Sequence, residues 1–301
     1  MIFDKPSVDD LKDIIDLLDE SFSSTPRTYF EHFVPDETSF PDLAIVAKDE
    51  GKVVGFIQIF PRIVRSLSGT LRIGGVGNVA VKRDYRNRRI GSKLLTLASE
   101  IMEKRRFSAS LLFASRYRFY GRHGWFIIPR VSYKFELENG GDLRKNLSII
   151  ENHVERFKEE LFELHVMFNE ENPLTVVRNE YIWKLHFRYD GRRIRIAMGG
   201  ERILGYVIYE RFDSFFRILD TAYLFPWVLR GLLHDMNRIH FPAKPTHQVV
   251  GDLKKISRSY ETDVSTDVYL KPIGITRDEL LKELGIKDGK AVWHFWEMDK
   301  F

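Results

Sequence analysis

NVAVKRDYRNRRIGSKLL, residues 78–95, carries six positive charges and one negative charge between an apolar strand pattern and an apolar helix pattern. A charge run is most often a solvated face. This one feeds into a helix start, where backbone N–H groups lack partners and the helix dipole is positive. The stretch therefore predicts strand, basic loop and helix in succession, with an anion site at their junction. Several N–H donors and several cations converging on a small region suit a diphosphate better than a carboxylate. Two familiar phosphate loops do not apply: GGVGN (residues 74–78) leads into a strand and lacks the G-x-G-x-x-G spacing, and IGSK lacks the Walker order.

Working outward, LRIGGVGNVAV reads as a strand and IGSKLLTLASEIMEKRR as a helix with Leu94, Leu95, Ala98, Ile101 and Met102 on one face. SASLLFAS follows as a buried strand, completing a βαβ crossover. Upstream, SVDDLKDIIDLLDESF is an amphipathic helix capped at Ser7, and DLAIVAKDEGKVVGFIQIFPRIV is a hairpin turning at Asp49–Lys52. Downstream, ENGGDLRKN suits a linker. GERILGYVIYE then repeats the pattern of GKVVGFIQIF, which hints at a duplicated fold. The second copy passes from strand to helix through Leu224-Phe225-Pro226, with no glycine and no arginine cluster, so it reads as structural or substrate-shaping. YIWKLHFRYDGRRIRI (residues 181–196) reads as a strand with Arg192, Arg193 and Arg195 near a turn. ITRDELLKELG is a short helix with a Thr276/Glu279 capping box, and KAVWHFWEMDKF a terminal strand.

Composition narrows the function classes. The 301 residues are 44% apolar, enough for one large core or two ordinary ones. Net charge is only +4, which argues against a dedicated nucleic-acid binder, and the aromatic-basic stretch at 181–196 does not change that reading. The chain has no cysteine, which excludes disulfides, thiolate zinc sites and a cysteine nucleophile. His234, His240 and His247 lack metal-ligand spacing, so no metal is expected. No leader pattern and no apolar run of about 18 residues occurs, so the expectation is a cytoplasmic protein with no membrane partner. A homo-oligomer is left open.

VAVKRDYRNRRIGSKLL resembles the acyl-CoA signature of the Gcn5-related N-acetyltransferases (GNAT), a V-x-V strand followed by R/Q-x-x-G-x-G/A at a helix start. The resemblance implies a mixed α/β, mostly antiparallel sheet with flanking helices and acetyl-CoA as co-substrate. It implies that Val79, Ala80 and Val81 contact the pantetheine and thioester, while Arg86, Asn87, Arg88, Arg89, Ile90, Gly91 and Ser92 wrap the pyrophosphate. Arg89 stands where the family's first glycine stands. ASRYRFYGRHGWF (residues 114–126) resembles a second family element, F-Y-x-x-x-G-F. YGRHGW together with VAVKRDYRNRR is similar to the Eis-type branch, built from two tandem acetyltransferase folds of which only the first binds CoA. That implies a CoA-binding domain at residues 1–140, a second GNAT-like domain without a CoA loop at 150–265, and a C-terminal strand-helix-strand segment at 266–301 in place of the branch's third domain.

The chemistry so implied is attack of a neutral primary amine, of a small molecule or a lysine, on the acetyl thioester. A backbone N–H near Val81 would hold the oxyanion, and Tyr120 is the expected proton donor to the departing thiolate. His123 reads as a solvent-facing loop residue. Asn78 replaces the strand glutamate that serves many family members as base. The resemblance offers the terminal carboxylate of Phe301 for that duty, against the plain reading that the terminus completes a sheet edge. Two other functions stay open: a CoA-binding regulatory or sensory protein without turnover, and transfer of a longer acyl chain.

Overall fold

The computed structural model describes residues 1–138, 147–152, 154–170, 172–187, 192–243, 246–286 and Asp299, with side chains at 154, 155 and 185–187 left aside. The linker stretch at 139–146, nearly all of the terminal strand stretch and Phe301 lie outside the described residues.

In the first half, β1 (Ile2–Asp4) is followed by α1 (Leu11–Ser21) and α2 (Arg27–Phe33). Next come β2 (Ala44–Asp49), β3 (Lys52–Arg65) and β4 (Thr70–Val81), then α3 (Ile90–Lys104), β5 (Ala109–Phe113), α4 (Tyr117–Gly121) and β6 (Phe126–Leu137). The start of α1 is fixed locally: the Asp10 carboxylate accepts the Ser7 N–H at 2.7 Å and the Ser7 hydroxyl at 2.9 Å. Ile14, Leu17 and Leu18 then face one side of the sheet, packing with Val46, Phe56 and Ala80. Leu94, Leu95, Ala98 and Met102 of α3 cover the other side over Ile57, Ile59 and Val76.

The second half repeats this plan with β7 (Leu147–Glu151), α5 (Lys158–Asn169), α6 (Glu180–Phe187), β8 (Arg193–Gly199), β9 (Arg202–Arg211), β10 (Phe216–Tyr223) and α7 (Pro226–Leu232). β11 (Arg238–Pro242), α8 (Gln248–Lys255), β12 (Ser257–Pro272) and α9 (Arg277–Glu283) complete it. Both hairpins carry a bulge in the same place: Ala47 faces Gly55 with the register shifting at Lys48, and Ala197 faces Gly205 with the shift at Met198. Both glycines admit the crossover helix. A Cβ on Gly55 would lie 3.0 Å from Ile90 Cγ2, and one on Gly205 2.8 Å from Val228 Cγ1. The α9 capping box is present, with Glu279 N–H donating to Thr276 Oγ1 at 3.2 Å.

Among the described residues the strands join one 12-stranded sheet in the order β1-β2-β3-β4-β5-β12-β6-β11-β10-β9-β8-β7. The halves trade their last strands: β6, which leaves the first half, pairs with β11, and β12, which leaves the second, pairs with β5. β6 and β12 then run antiparallel against each other along the middle of the sheet. Separating the halves would expose backbone donors and acceptors on four strands at once.

One expectation is corrected. Tyr181–Phe187 belongs to helix α6, and only Arg193 onward is strand β8. Asn179 caps the helix through Oδ1, which accepts the Ile182 N–H at 2.8 Å, and Glu180 pairs with Lys184 one turn on. Burial of Ile182 and Trp183 then rewards the helical spacing over the strand spacing.

Candidate active site

Parallel pairing of β4 and β5 lasts only from Ile73 to Gly75, opposite Ala109 to Leu111. Beyond that point the strands diverge and leave a cleft. A bulge in β4 opens it: Ala80 faces Phe56 and Gly77 faces Gln58, so Ile57 opposes two residues, and Asn78 takes a left-handed φ of 55°. The bulge is held from behind. Asn78 Nδ2 donates to Gln58 Oε1 at 2.9 Å, while Gln58 Nε2 donates to Val34 O at 2.9 Å and Ser39 Oγ at 2.8 Å. Lys82 N–H donates back to Val54 O at 2.8 Å, so strand alternation turns the Val81 N–H toward the cleft.

Helix α3 starts at the mouth of this cleft. Asn87 and Arg89 have φ of 63° and 62°, the left-handed region that glycine enters most cheaply. Arg89 is the N-cap residue, with no side-chain cap, and its carbonyl accepts the first helical bond from Lys93 N–H at 3.0 Å. The N–H groups of Ile90, Gly91 and Ser92 therefore have no intrahelical acceptor. All three residues line the cleft. Gly91 is needed for space, since a Cβ there would sit 3.1 Å from Phe119 Cζ.

The cleft is a cavity of about 800 Å³. Val79, Ala80, Val81, Arg86, Asn87, Arg89, Ile90, Gly91, Ser92 and Tyr120 all lie in its wall. Arg88 does not; its guanidinium stacks 4.8 Å over the Tyr85 ring. The sequence reading missed Arg116 and Arg122, which join Arg86 and Arg89 on the wall, with no carboxylate side chain among the described lining residues. Both arginines were visible in the ASRYRFYGRHGWF stretch, but nothing local says that α4 turns them inward. Ser21, Phe22, Thr25, Tyr29 and Phe30 close the side toward α1 and α2. A multiply charged anion with a long, partly apolar arm matches this cavity: cations and free N–H groups at its mouth, a strand edge along its length.

Tyr120 lies with Phe119, Trp125 and Tyr269, its ring 5.9 Å from that of Tyr269. Burial raises its pKa and the Arg116 charge opposes the rise, so the phenol is fully protonated near neutrality and can donate. His123 is half-buried instead of solvent-facing, a second correction. Its Nε2 is 3.2 Å from Ser92 Oγ, and burial together with the Lys271 charge lowers its pKa.

The corresponding cleft of the second half is filled. β10 bulges between Ile218 and Asp220, and pairs in parallel with β11 only at Phe216 and Arg217. Asp220, placed as Asn78 is in β4, accepts from Arg178 Nη1 and from the Tyr206 hydroxyl at 3.3 Å, with His165 Nδ1 3.5 Å away. Arg178 also binds Asp299 through Nε at 2.8 Å and Nη2 at 2.9 Å. Burial pushes Asp220 up, yet Arg178 and His165 together hold it at about 2. Among the described residues no group of three or more acidic or histidine side chains could hold a metal, and no helix is long and apolar enough to cross a membrane.

Comparison with known proteins agrees with the geometry. Residues 3–128 match the family model described as an acetyltransferase (GNAT) domain. The matched region takes in the arginine loop and the splayed strands. No curated protein matches the chain. Among solved structures it is similar to a GCN5-related N-acetyltransferase from Anabaena variabilis, with TM-score 0.72 and 14% identity over 90% of this chain and 72% of that one. It is similar also to a GCN5-related N-acetyltransferase from Kribbella flavida, with TM-score 0.70 and 15% identity over 91% and 71%. Eis1 from Mycobacterium abscessus is alike at TM-score 0.66 and 14% identity over 91% and 74%. At such identities the likeness establishes the GNAT fold across most of the chain.

Proposed function

We propose that the protein is an acetyl-CoA-dependent N-acetyltransferase acting on a primary amine, of a small molecule or a lysine. The observation that carries this is the cleft between β4 and β5, whose described wall gathers four arginines and the open N-terminus of α3. Arg86, Arg89, Arg116, Arg122 and the Ile90–Ser92 amides would hold the pyrophosphate; Val79–Val81 would pair with the pantetheine. The amine nitrogen attacks the thioester carbonyl carbon, forming the C–N bond, and the C–S bond then breaks. The Val81 N–H stabilises the oxyanion, Tyr120 gives its proton to the thiolate sulfur, and the amine's surplus proton leaves toward water. The first domain, roughly residues 1–140, performs the chemistry; the second supports it.

Incubation with acetyl-CoA and a panel of amines should release free thiol in proportion to acetylated product. Tyr120→Phe should lower the rate of transfer while CoA still binds. Equal turnover in that variant would remove Tyr120 from the mechanism. A second reading, a CoA-binding regulator without turnover, is favoured by one observation: the Asn78 amide, at the strand position of the family's glutamate base, is engaged with Gln58. CoA binding with no thiol release from any amine would select it.

A further inference from the structure

Ser92, the third residue of α3, stands in the cleft wall and carries a hydroxyl whose partner the reaction has not used. His123 Nε2 lies 3.2 Å from Ser92 Oγ, the one side-chain hydrogen-bonding partner of that ring among the described residues. His123 is itself absent from the described wall, so it acts on the cleft through Ser92. The ring is held in place. Its backbone N–H donates to Tyr120 O at 2.9 Å, and its centroid lies 5.7 Å from that of Phe119, edge to face. Phe119 in turn packs on Gly91, so the α4 turn and the start of α3 meet at this pair. The charge felt at His123 is Lys271 of β12, which is fixed by a 2.8 Å bond from Nζ to Ser99 Oγ and lies 4.5 Å over the Trp125 ring. α3 presents a hydroxyl to the imidazole, and its Glu103 is felt at Lys271 but not at His123. Burial first, and then Lys271, lower the His123 pKa below 6.5, so the ring is neutral at pH 7 in the free protein.

A hydroxyl has one proton to give, and the ring decides where it goes. With Nε2 bare, Ser92 donates to His123 and turns its lone pairs toward an anion in the cleft. With Nε2 protonated, the ring donates to Ser92 Oγ and the hydroxyl proton is free for the anion. We propose that His123 is a positioning residue for the cofactor: donating from Nε2 to Ser92 Oγ, it directs the Ser92 hydroxyl onto the bound pyrophosphate and takes up a proton as that anion binds. The proton comes from solvent and returns to it when CoA leaves. A negative charge one hydroxyl away from the ring favours the imidazolium that burial and Lys271 disfavour. The bound protein thus has the higher His123 pKa, so affinity is greatest below the free value and declines as pH rises through the bound one. The inference rests on CoA occupying the cleft as proposed, and adds a proton to its binding equilibrium.

Calorimetry of CoA binding in buffers of different ionisation enthalpy counts the proton. Between about pH 6 and about pH 8 the wild type should take up a fraction of a proton, and its affinity should fall roughly three- to tenfold as pH rises. His123→Phe keeps a ring against Phe119 and removes the donor. It should bind CoA about tenfold more weakly at the lower pH and lose the uptake at this site. His123→Gln keeps a donor that does not titrate, and should restore most of the affinity without the uptake. The phosphate monoester of CoA ionises alike in all three proteins, so the differences between them isolate His123. In a Ser92→Ala background, His123→Phe should weaken binding by clearly less, because the two residues act through one hydroxyl. Equal proton uptake in wild type and His123→Phe, or an equal loss from His123→Phe with and without the Ser92 hydroxyl, overturns the proposal. If the wild type does not bind CoA, the cofactor reading fails and inorganic pyrophosphate decides. Binding that loses strength and proton uptake in His123→Phe upholds the anion site; no binding, or binding unchanged by the substitution, overturns it. Thermal unfolding shows whether the variants are folded, and His123→Gln carries the comparison of proton uptake if His123→Phe is not.

Discussion

Arg178 grips Asp299 with two parallel hydrogen bonds, 2.8 Å from Nε and 2.9 Å from Nη2, and gives its remaining nitrogen to Asp220. One cation thereby neutralises two carboxylates, all fully buried, and ties a residue near the end of the sequence to the bulge of β10. Removing the shared partner should be severe. Arg178→Met is expected to cost about 3–5 kcal/mol, because it leaves buried charges uncompensated. Urea unfolding measures this directly; a midpoint within error of wild type would mean that the pairs contribute nothing net.

The same cluster sets an acid limit. Burial first, and then the Arg178 charge, depress His165 below its ordinary 6.5, so the unfolded chain takes up the proton before the folded one does. Stability is therefore complete above about pH 6.5 and declines as pH falls through the lowered folded value. Asp220 adds a second decline between its ordinary 3.8 and about 2. His165→Gln should flatten the upper part of the profile and leave the lower part. A Tm that drops equally with acidity in both proteins would contradict the assignment.

At the cleft mouth, Arg86 lies in the wall whereas Arg88 is stacked on Tyr85. Arg86→Ala should weaken CoA binding by about tenfold or more, the loss of one charge-assisted contact, and Arg88→Ala by clearly less. Calorimetry at two salt concentrations reads both effects, since the arginine contribution fades with screening. Equal losses would place the two arginines in equivalent roles.

Arg89 combines a strained backbone with a useful charge. At a φ of 62°, replacement by glycine relieves roughly 1 kcal/mol of left-handed strain. The same change removes one of four wall arginines. Arg89→Gly should then melt higher and bind CoA less tightly. A variant that melts lower would show that the arginine side chain itself holds the loop.

The strand, basic loop and helix around residues 78–95 were legible because each rests on short-range rules: alternating apolar residues, a helix start, and glycine where space is short. The αL conformation at Arg89 was not, since an arginine carries no local sign of positive φ; only the family pattern marks the place. Likewise the stretch at 181–187 mixes aromatic and apolar residues at both periods. Its helix was decided by the Asn179 cap and by burial of Trp183.

What the sequence determined by itself was local: the Ser7 and Thr276 helix starts, the Asp49–Lys52 turn, and the repeated hairpin that announces a second copy of the fold. What only the tertiary structure decided was the partner of each strand and the fate of each buried charge. β6 pairs with β11 and β12 with β5 because backbone edges carry no address of their own. The choice falls to which faces can be covered together across the whole sheet. Arg62 and Arg178 look alike in the sequence. One is bound by two carboxylates and the other leaves its Nε without a hydrogen-bond partner, because among the described residues distant carboxylates turn their oxygens toward one and not the other.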